Sequence, residues 1–276
     1  MMSGQILHVF RNTPFGREEF LQSLYFAKKT DISPQVYIPV FRQFLMYFGS
    51  TVVTVDLDNT FLRSPKTARK NTEEITKNVG LKPDFLIPES FTAGSIPVLP
   101  TDFTYMCCPR SISDLSTKIG PGYIGPKVRS IVKYSTFPIL IPSPVYKEWK
   151  SISVFFGGSD TAVKAVQLGM HIKKTCGFPL HIFTQAEHHP RAYYQETLEK
   201  NNLGEPIKKQ EVKWRFFDKG KFEHNLYNVP HDSLVIVGTL GHNLIKEVLF
   251  GSKAETLQTI LPNNLLLVGP NYVAQS

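Results

Sequence analysis

The chain has 276 residues, 42% of them apolar and 20% charged, the balance of a globular protein long enough for one large core or two small ones. It has no apolar run long enough for a membrane helix, and its three cysteines, Cys107, Cys108 and Cys176, match neither a disulfide framework nor a zinc spacing. The net charge of +8 is spread thinly along the chain, which argues against a nucleic-acid groove.

In chain order, the opening MMSGQILHVF lacks the basic flank and long apolar stretch of a signal peptide. ILHVF (6–10) predicts a strand and GREEFLQSLYFAKKT (16–30) a helix, followed by a strand at QVYIPV (35–40). QFLMYF and TVVTVDL, separated by Gly49-Ser50, predict a β-hairpin. Its arm Phe44, Leu45, Met46, Tyr47 and Phe48 is unusually apolar and is a candidate homodimer contact. A helix at SPKTARKNTEEITKNVG (64–80), a third strand at DFLIPES (84–90) and a fourth at FTYMCC (103–108) follow. GPKVRSIVKY (125–134) predicts a helix and FPILIP (137–142) the fifth strand of this half.

The second half repeats the order. ISVFFGG predicts a buried strand, and the next helix has Ser159 as its N-cap and Gly177 beyond its end. PLHIFTQA is a strand, PRAYYQETLEKN a helix, EVKWRFFD a strand, with a short helix near 222–227. SLVIVGT (233–239) and NLLLVGP (264–270) are strands with a helix after Gly251 between them. Two pairs of segments align across the halves: PTDFTYMCCP with PHDSLVIVGT, and GPKVRSIVKYSTFPILIPSP with GSKAETLQTILPNNLLLVGP. The expectation is two copies, 1–147 and 148–276, the first lengthened by the hairpin. Each is an α/β doubly wound domain with a five-stranded, mainly parallel sheet flanked by helices, because the strand runs are apolar throughout and alternate with helices.

Asp56-Leu57-Asp58-Asn59-Thr60 has the D-x-D-x-T form of the phosphoryl-accepting aspartate in haloacid-dehalogenase phosphatases. That chemistry needs the aspartates at the centre of a parallel sheet, with a lysine and paired carboxylates holding magnesium. Here they end a hairpin arm and no paired carboxylates follow at a strand end. The residues are read as a strand end and turn, with a phosphatase using Asp56 kept as an alternative.

Gly238-Thr239-Leu240-Gly241, nine residues, then Gly251-Ser252 has the form G-x2-G-x9-G-S between a strand and a helix. Glycines there let backbone N–H groups approach a phosphate, and a helix N-terminus adds partial positive charge. With its five-stranded α/β setting, the chain resembles the universal stress protein family, as a tandem two-domain member with an adenine nucleotide alpha hydrolase-like fold. The resemblance implies an adenine-nucleotide site, for ATP or a relative with magnesium, in the C-terminal copy. Gly238, Gly241, Gly251 and Ser252 would hold phosphates and ribose, backbone near Ile182 would meet the adenine, and Gly157, Gly158 and Ser159 would form the turn after the first strand. Members that bind nucleotide carry an acidic residue where this chain has Gly157, so a ribose or metal contact is missing.

The first copy departs further. Its loop, with Gly120, Gly122, Gly125 and Pro126, lacks the spacing, and Arg11-Asn12-Thr13 ends its first strand, so no ATP is expected there. Arg110, Lys118, Lys127, Arg129 and Lys133 read as a solvated face, His181, Glu187, His188 and His189 as an exposed loop, and Trp149, Trp214, Cys107 and Cys108 as packing residues. The resemblance also implies a pseudo-dimer of the two domains with their last strands edge to edge. The functional expectation is a cytoplasmic stress-response protein with no evident general base and at most slow ATP hydrolysis. Its rival is a partner-binding protein without nucleotide affinity, and the protein partner is unknown.

Overall fold

A computed structural model describes residues 4–90, 96–112, 124–186, 189–217, 222–239 and 261–274. The chain divides into two compact units, one ending at Glu148 and the other beginning at Trp149. The first runs β1 (Gln5–Val9), α1 (Pro14–Thr30), β2 (Ser33–Tyr37), β3 (Gln43–Phe48), β4 (Thr51–Asp56), α2 (Pro65–Asn78), β5 (Asp84–Phe85), β6 (Glu89–Ser90), β7 (Pro97–Leu99), β8 (Tyr105–Cys107), α3 (Pro126–Tyr134) and β9 (Ile139–Ile141). The second runs β10 (Ser151–Phe155), α4 (Asp160–Cys176), β11 (Leu180–Gln185), α5 (Arg191–Lys200), α6 (Gly204–Lys209), β12 (Lys213–Phe217), α7 (Phe222–Asn225), β13 (Ser233–Gly238) and β14 (Asn264–Val268).

In the first unit five strands pair in parallel in the order β9-β8-β1-β2-β5. In the second the order is β12-β11-β10-β13-β14, again all parallel. The two orders are the same winding: out along one side of the first strand, then back to the other side. Every residue of β10, β13 and β14 is buried, as expected for strands covered on both faces.

Two helix starts follow one recipe. Thr13 is extended, its hydroxyl accepts from the Gly16 N–H at 3.0 Å, and Pro14 supplies a preset φ at the first helical position of α1. Ser159 is likewise extended and accepts from the Ala162 N–H at 3.3 Å, opening α4. Gly177, at φ +74°, ends α4 as expected of a glycine just beyond a helix.

The hairpin forms as anticipated, with β3 and β4 antiparallel about Gly49 at φ +59°. Phe44 and Met46 are wholly buried, while Tyr47 and Val52 face outward and are nearly half exposed. The sequence did not disclose that β6 and β7 complete a separate four-stranded sheet, in the order β4-β3-β7-β6. The expected third strand DFLIPES is therefore divided. Asp84–Phe85 pairs with β2, whereas Glu89–Ser90 pairs with β7. Pro88 lies between them, and a proline has no N–H to donate to a continuing ladder. Helix α6 was also not anticipated, because Gly-Glu-Pro at its start reads as a loop.

Candidate functional site at the switch of the second sheet

In an open parallel sheet, ligands bind beyond the carboxyl ends of the strands where the winding reverses. In the second unit this point lies between β10 and β13. The turn after β10 is Phe156-Gly157-Gly158-Ser159, leading into the N-terminus of α4, and Gly238 ends β13. Gly157, Gly158 and Ser159 are half-buried. Gly158 sits at φ +82°, a conformation that favours glycine, and a Cβ there would lie 2.9 Å from Cε1 of Tyr193. The Tyr193 ring is itself stacked on His189, with centroids 4.0 Å apart.

Gly238 has a different reason to be glycine. A Cβ on it would lie 2.5 Å from both the carbonyl carbon and the oxygen of Thr161 and 2.7 Å from the Ala162 nitrogen. The end of β13 thus presses directly on the first turn of α4. Ile182 lies in the middle of β11, fully buried, opposite Val154 and Trp214. The backbone at the mouth of that strand is instead that of Gln185 and Ala186. Gly241, Gly251 and Ser252 lie outside the described residues.

A cleft of about 540 Å³ opens beside the start of α4, bounded by Ser159, Asp160, Thr161, Lys164, Gln167 and Pro270 among others. Asp160 is exposed, and the Lys164 ammonium donates to the Pro270 carbonyl at 2.7 Å. The cleft combines the positive end of a helix with one carboxylate and one amine. Among the described residues no group of three His, Cys, Asp or Glu side chains is placed to hold a metal. His181 lies on β11, and burial, then the charges of Arg215 and Lys213, hold its pKa below the usual value.

In the first unit the turn after β1 is tied down by other parts of the chain. Arg11 reaches Glu19 at 3.5 Å and Asp58 at 3.8 Å, and its guanidinium lies 5.4 Å from the centre of the Phe61 ring. Asn71 donates to Asn12 at 2.9 Å. Glu19 is pushed to a higher pKa by burial, with Arg11 opposing. Asp58 also accepts from the Thr60 N–H at 2.7 Å and from the Thr60 hydroxyl, forming a closed Asx turn. Asp56 lies on β4, an outer strand of the four-stranded sheet, where it accepts from Gln43 at 2.6 Å and pairs with Lys127 at 3.3 Å. The D-x-D-x-T string is therefore a strand end and a turn that fastens the insertion onto Arg11. Asp58→Ala is expected to lower the stability of the chain by about 1–3 kcal/mol, read by urea unfolding, because it leaves a largely buried guanidinium short of a partner.

Cys107 and Cys108 are buried at the end of β8, as expected of packing residues. Burial pushes both thiols up, Cys108 to about 12, so neither is a thiolate near neutral pH. Trp149 is buried against Phe178, and the Trp214 indole N–H donates to the Thr184 hydroxyl at 2.9 Å.

No family model matches the sequence, and no curated protein matches it. Solved structures do match. A universal stress protein from Archaeoglobus fulgidus DSM 4304 superposes with a TM-score of 0.62 over 97% of both chains, at 14% identity. The fold is that of the universal stress proteins. A putative universal stress protein from Pseudomonas aeruginosa UCBPP-PA14 gives a TM-score of 0.54 at 10% identity, covering 98% of this chain and 94% of its own. A protein of unknown function from Pseudomonas aeruginosa PAO1 gives 0.53 at 10% identity, with 98% and 93% covered. Coverage of nearly the whole chain means that both units of this universal stress protein fold take part in the match. Identities this low carry the architecture, and the chemistry has to come from the residues themselves.

Proposed function

We propose that the C-terminal unit binds ATP or a related adenine nucleotide and that the chain is a regulatory, stress-response module gated by that ligand. The observation that carries this reading is the turn Gly157-Gly158-Ser159. It stands at the switch point of the sheet and delivers the N-terminus of α4 to an open polar cleft. The phosphates lie at the start of α4 and the base toward the ends of β10 and β11. Among the described lining residues Asp160 is the one carboxylate, too small a donor set for a protein-held magnesium ion. An ion reaches the site on the phosphates. The three free cysteines, two of them buried, fit a reducing compartment, and no described helix is long and apolar enough to cross a membrane.

Isothermal titration and thermal shift with ATP and AMP, with and without magnesium, are expected to report one site per chain. Asp160→Asn removes a negative charge from the phosphate end and is expected to tighten ATP binding on the order of fivefold. Absence of both heat and thermal shift overturns the nucleotide reading. The second reading, a partner-binding protein without nucleotide affinity, is favoured by the ion pairs that hold the turn after β1 in the first unit and by Gly157. Under it neither the parent chain nor the Asp160 variant responds to nucleotide.

A further inference from the structure

A second cleft, of about 330 Å³, opens in the first unit beyond the ends of β2 and β5, away from the β1–β8 switch point. Its walls are Val36, Ile38, Val40, Phe85, Ile87 and Pro88, and its lip is the first turn of α2 with Lys66 and Arg69. Val40 and Ile87 are 57% and 84% exposed, so the apolar surface continues out of the cleft onto its rim. Burying such surface under a ligand is favourable in proportion to its area.

The lip has a definite sign. Arg69 is committed, with its guanidinium 4.1 Å from the centre of the Phe85 ring and its Nε 3.3 Å from Glu73. Lys66 forms no ion pair among the described residues, and no described carboxylate lines the cleft. The first turn of α2 has no acidic residue, and Ser64 makes no side-chain cap, so the positive end of the helix adds to the lysine. An apolar floor beneath an unneutralised cationic lip matches a molecule with an apolar body and one negative end. The volume lies at the lower end of the roughly 300–1,000 Å³ typical of small-molecule sites.

We propose that this cleft is a binding site for a small amphipathic carboxylate. The alkyl or aryl body lies against Val36, Phe85 and Ile87, and the carboxylate meets Lys66 at the start of α2. This site is independent of the nucleotide reading, because it lies in the other unit and uses none of the same residues.

The test is isothermal titration of the full chain with octanoate and, as a charge-reversed probe of equal length, octylamine. Octanoate is expected to bind at least tenfold more tightly than octylamine. Lys66→Glu is expected to weaken octanoate at least tenfold while keeping the melting temperature, since Lys66 is exposed and an acidic residue suits the first turn of a helix. Lys66→Gln, which removes the charge without adding one, is expected to fall between. No octanoate binding, equal binding of the two probes, or undiminished octanoate binding by both variants overturns the proposal.

Discussion

Gly238→Ala is expected to destabilise the second unit by about 2–3 kcal/mol with no nucleotide present, lowering its melting temperature by roughly 5–10 °C. The added Cβ would meet the carbonyl group of Thr161 at 2.5 Å, a contact of backbone with backbone that no rotamer change relieves. Gly169, in the middle of α4, supplies the control. A Cβ there would meet Val154 Cγ2 at 2.7 Å, a side-chain methyl rather than backbone. The better helix propensity of alanine, by about 1 kcal/mol, offsets part of that strain. Gly169→Ala is therefore expected to cost clearly less than Gly238→Ala. Differential scanning calorimetry of both variants without ligand checks the ordering. A Gly238→Ala protein that melts with the parent would remove the account of Gly238 as a point of close approach.

Acid is expected to weaken the first unit through His8. This imidazole lies on β1, 3% exposed, its Nδ1 without a hydrogen-bond partner among the described residues and its ring 4.9 Å from that of Phe20. Burial, with a smaller contribution from Arg11, lowers its pKa from 6.5 to about 3. The folded state therefore holds His8 neutral while the unfolded chain takes up a proton below 6.5. The stability it contributes is complete above pH 6.5 and falls as pH drops from 6.5 toward 3, at about 1.4 kcal/mol per unit. Glu19 acts in the opposite sense, since burial raises its pKa and the folded state then holds its proton more readily than the unfolded chain. Its offset begins at that raised pKa, above the ordinary glutamate range, and is complete once the pH has fallen through that range, so the share of His8 is read from a variant that leaves Glu19 in place. Urea unfolding of the parent and of His8→Leu across that window is the measurement. By pH 5 the parent is expected to lose about 2 kcal/mol more than the variant, since both keep Glu19; equal slopes would assign the acid sensitivity elsewhere.

The alternation of wholly apolar strands with helices, the hairpin at Gly49, the Ser159 cap and the Gly177 stop were all legible because each depends on neighbours in the chain. Periodicity, capping and turn chemistry are local, and these elements lie where the local pattern predicts. From that order of elements, an open doubly wound sheet follows almost without alternatives, since a parallel crossover has one hand and one kind of cover.

What the tertiary structure alone decided concerns residues far apart in sequence. Gly238 is glycine because Thr161 stands against it, which nothing near position 238 reveals. DFLIPES reads as one strand, yet its two ends belong to different sheets, because the partner of Glu89–Ser90 is β7. Asp58 looked like phosphoryl chemistry or an idle turn and is in fact the carboxylate that meets Arg11. Lys66, Phe85 and Val36 carry no common motif and share a cleft only because α2 and β5 pack beside β2. Local chemistry settled which elements form, whereas close approach, shared burial and charge pairing are properties of space, to which sequence separation is no guide.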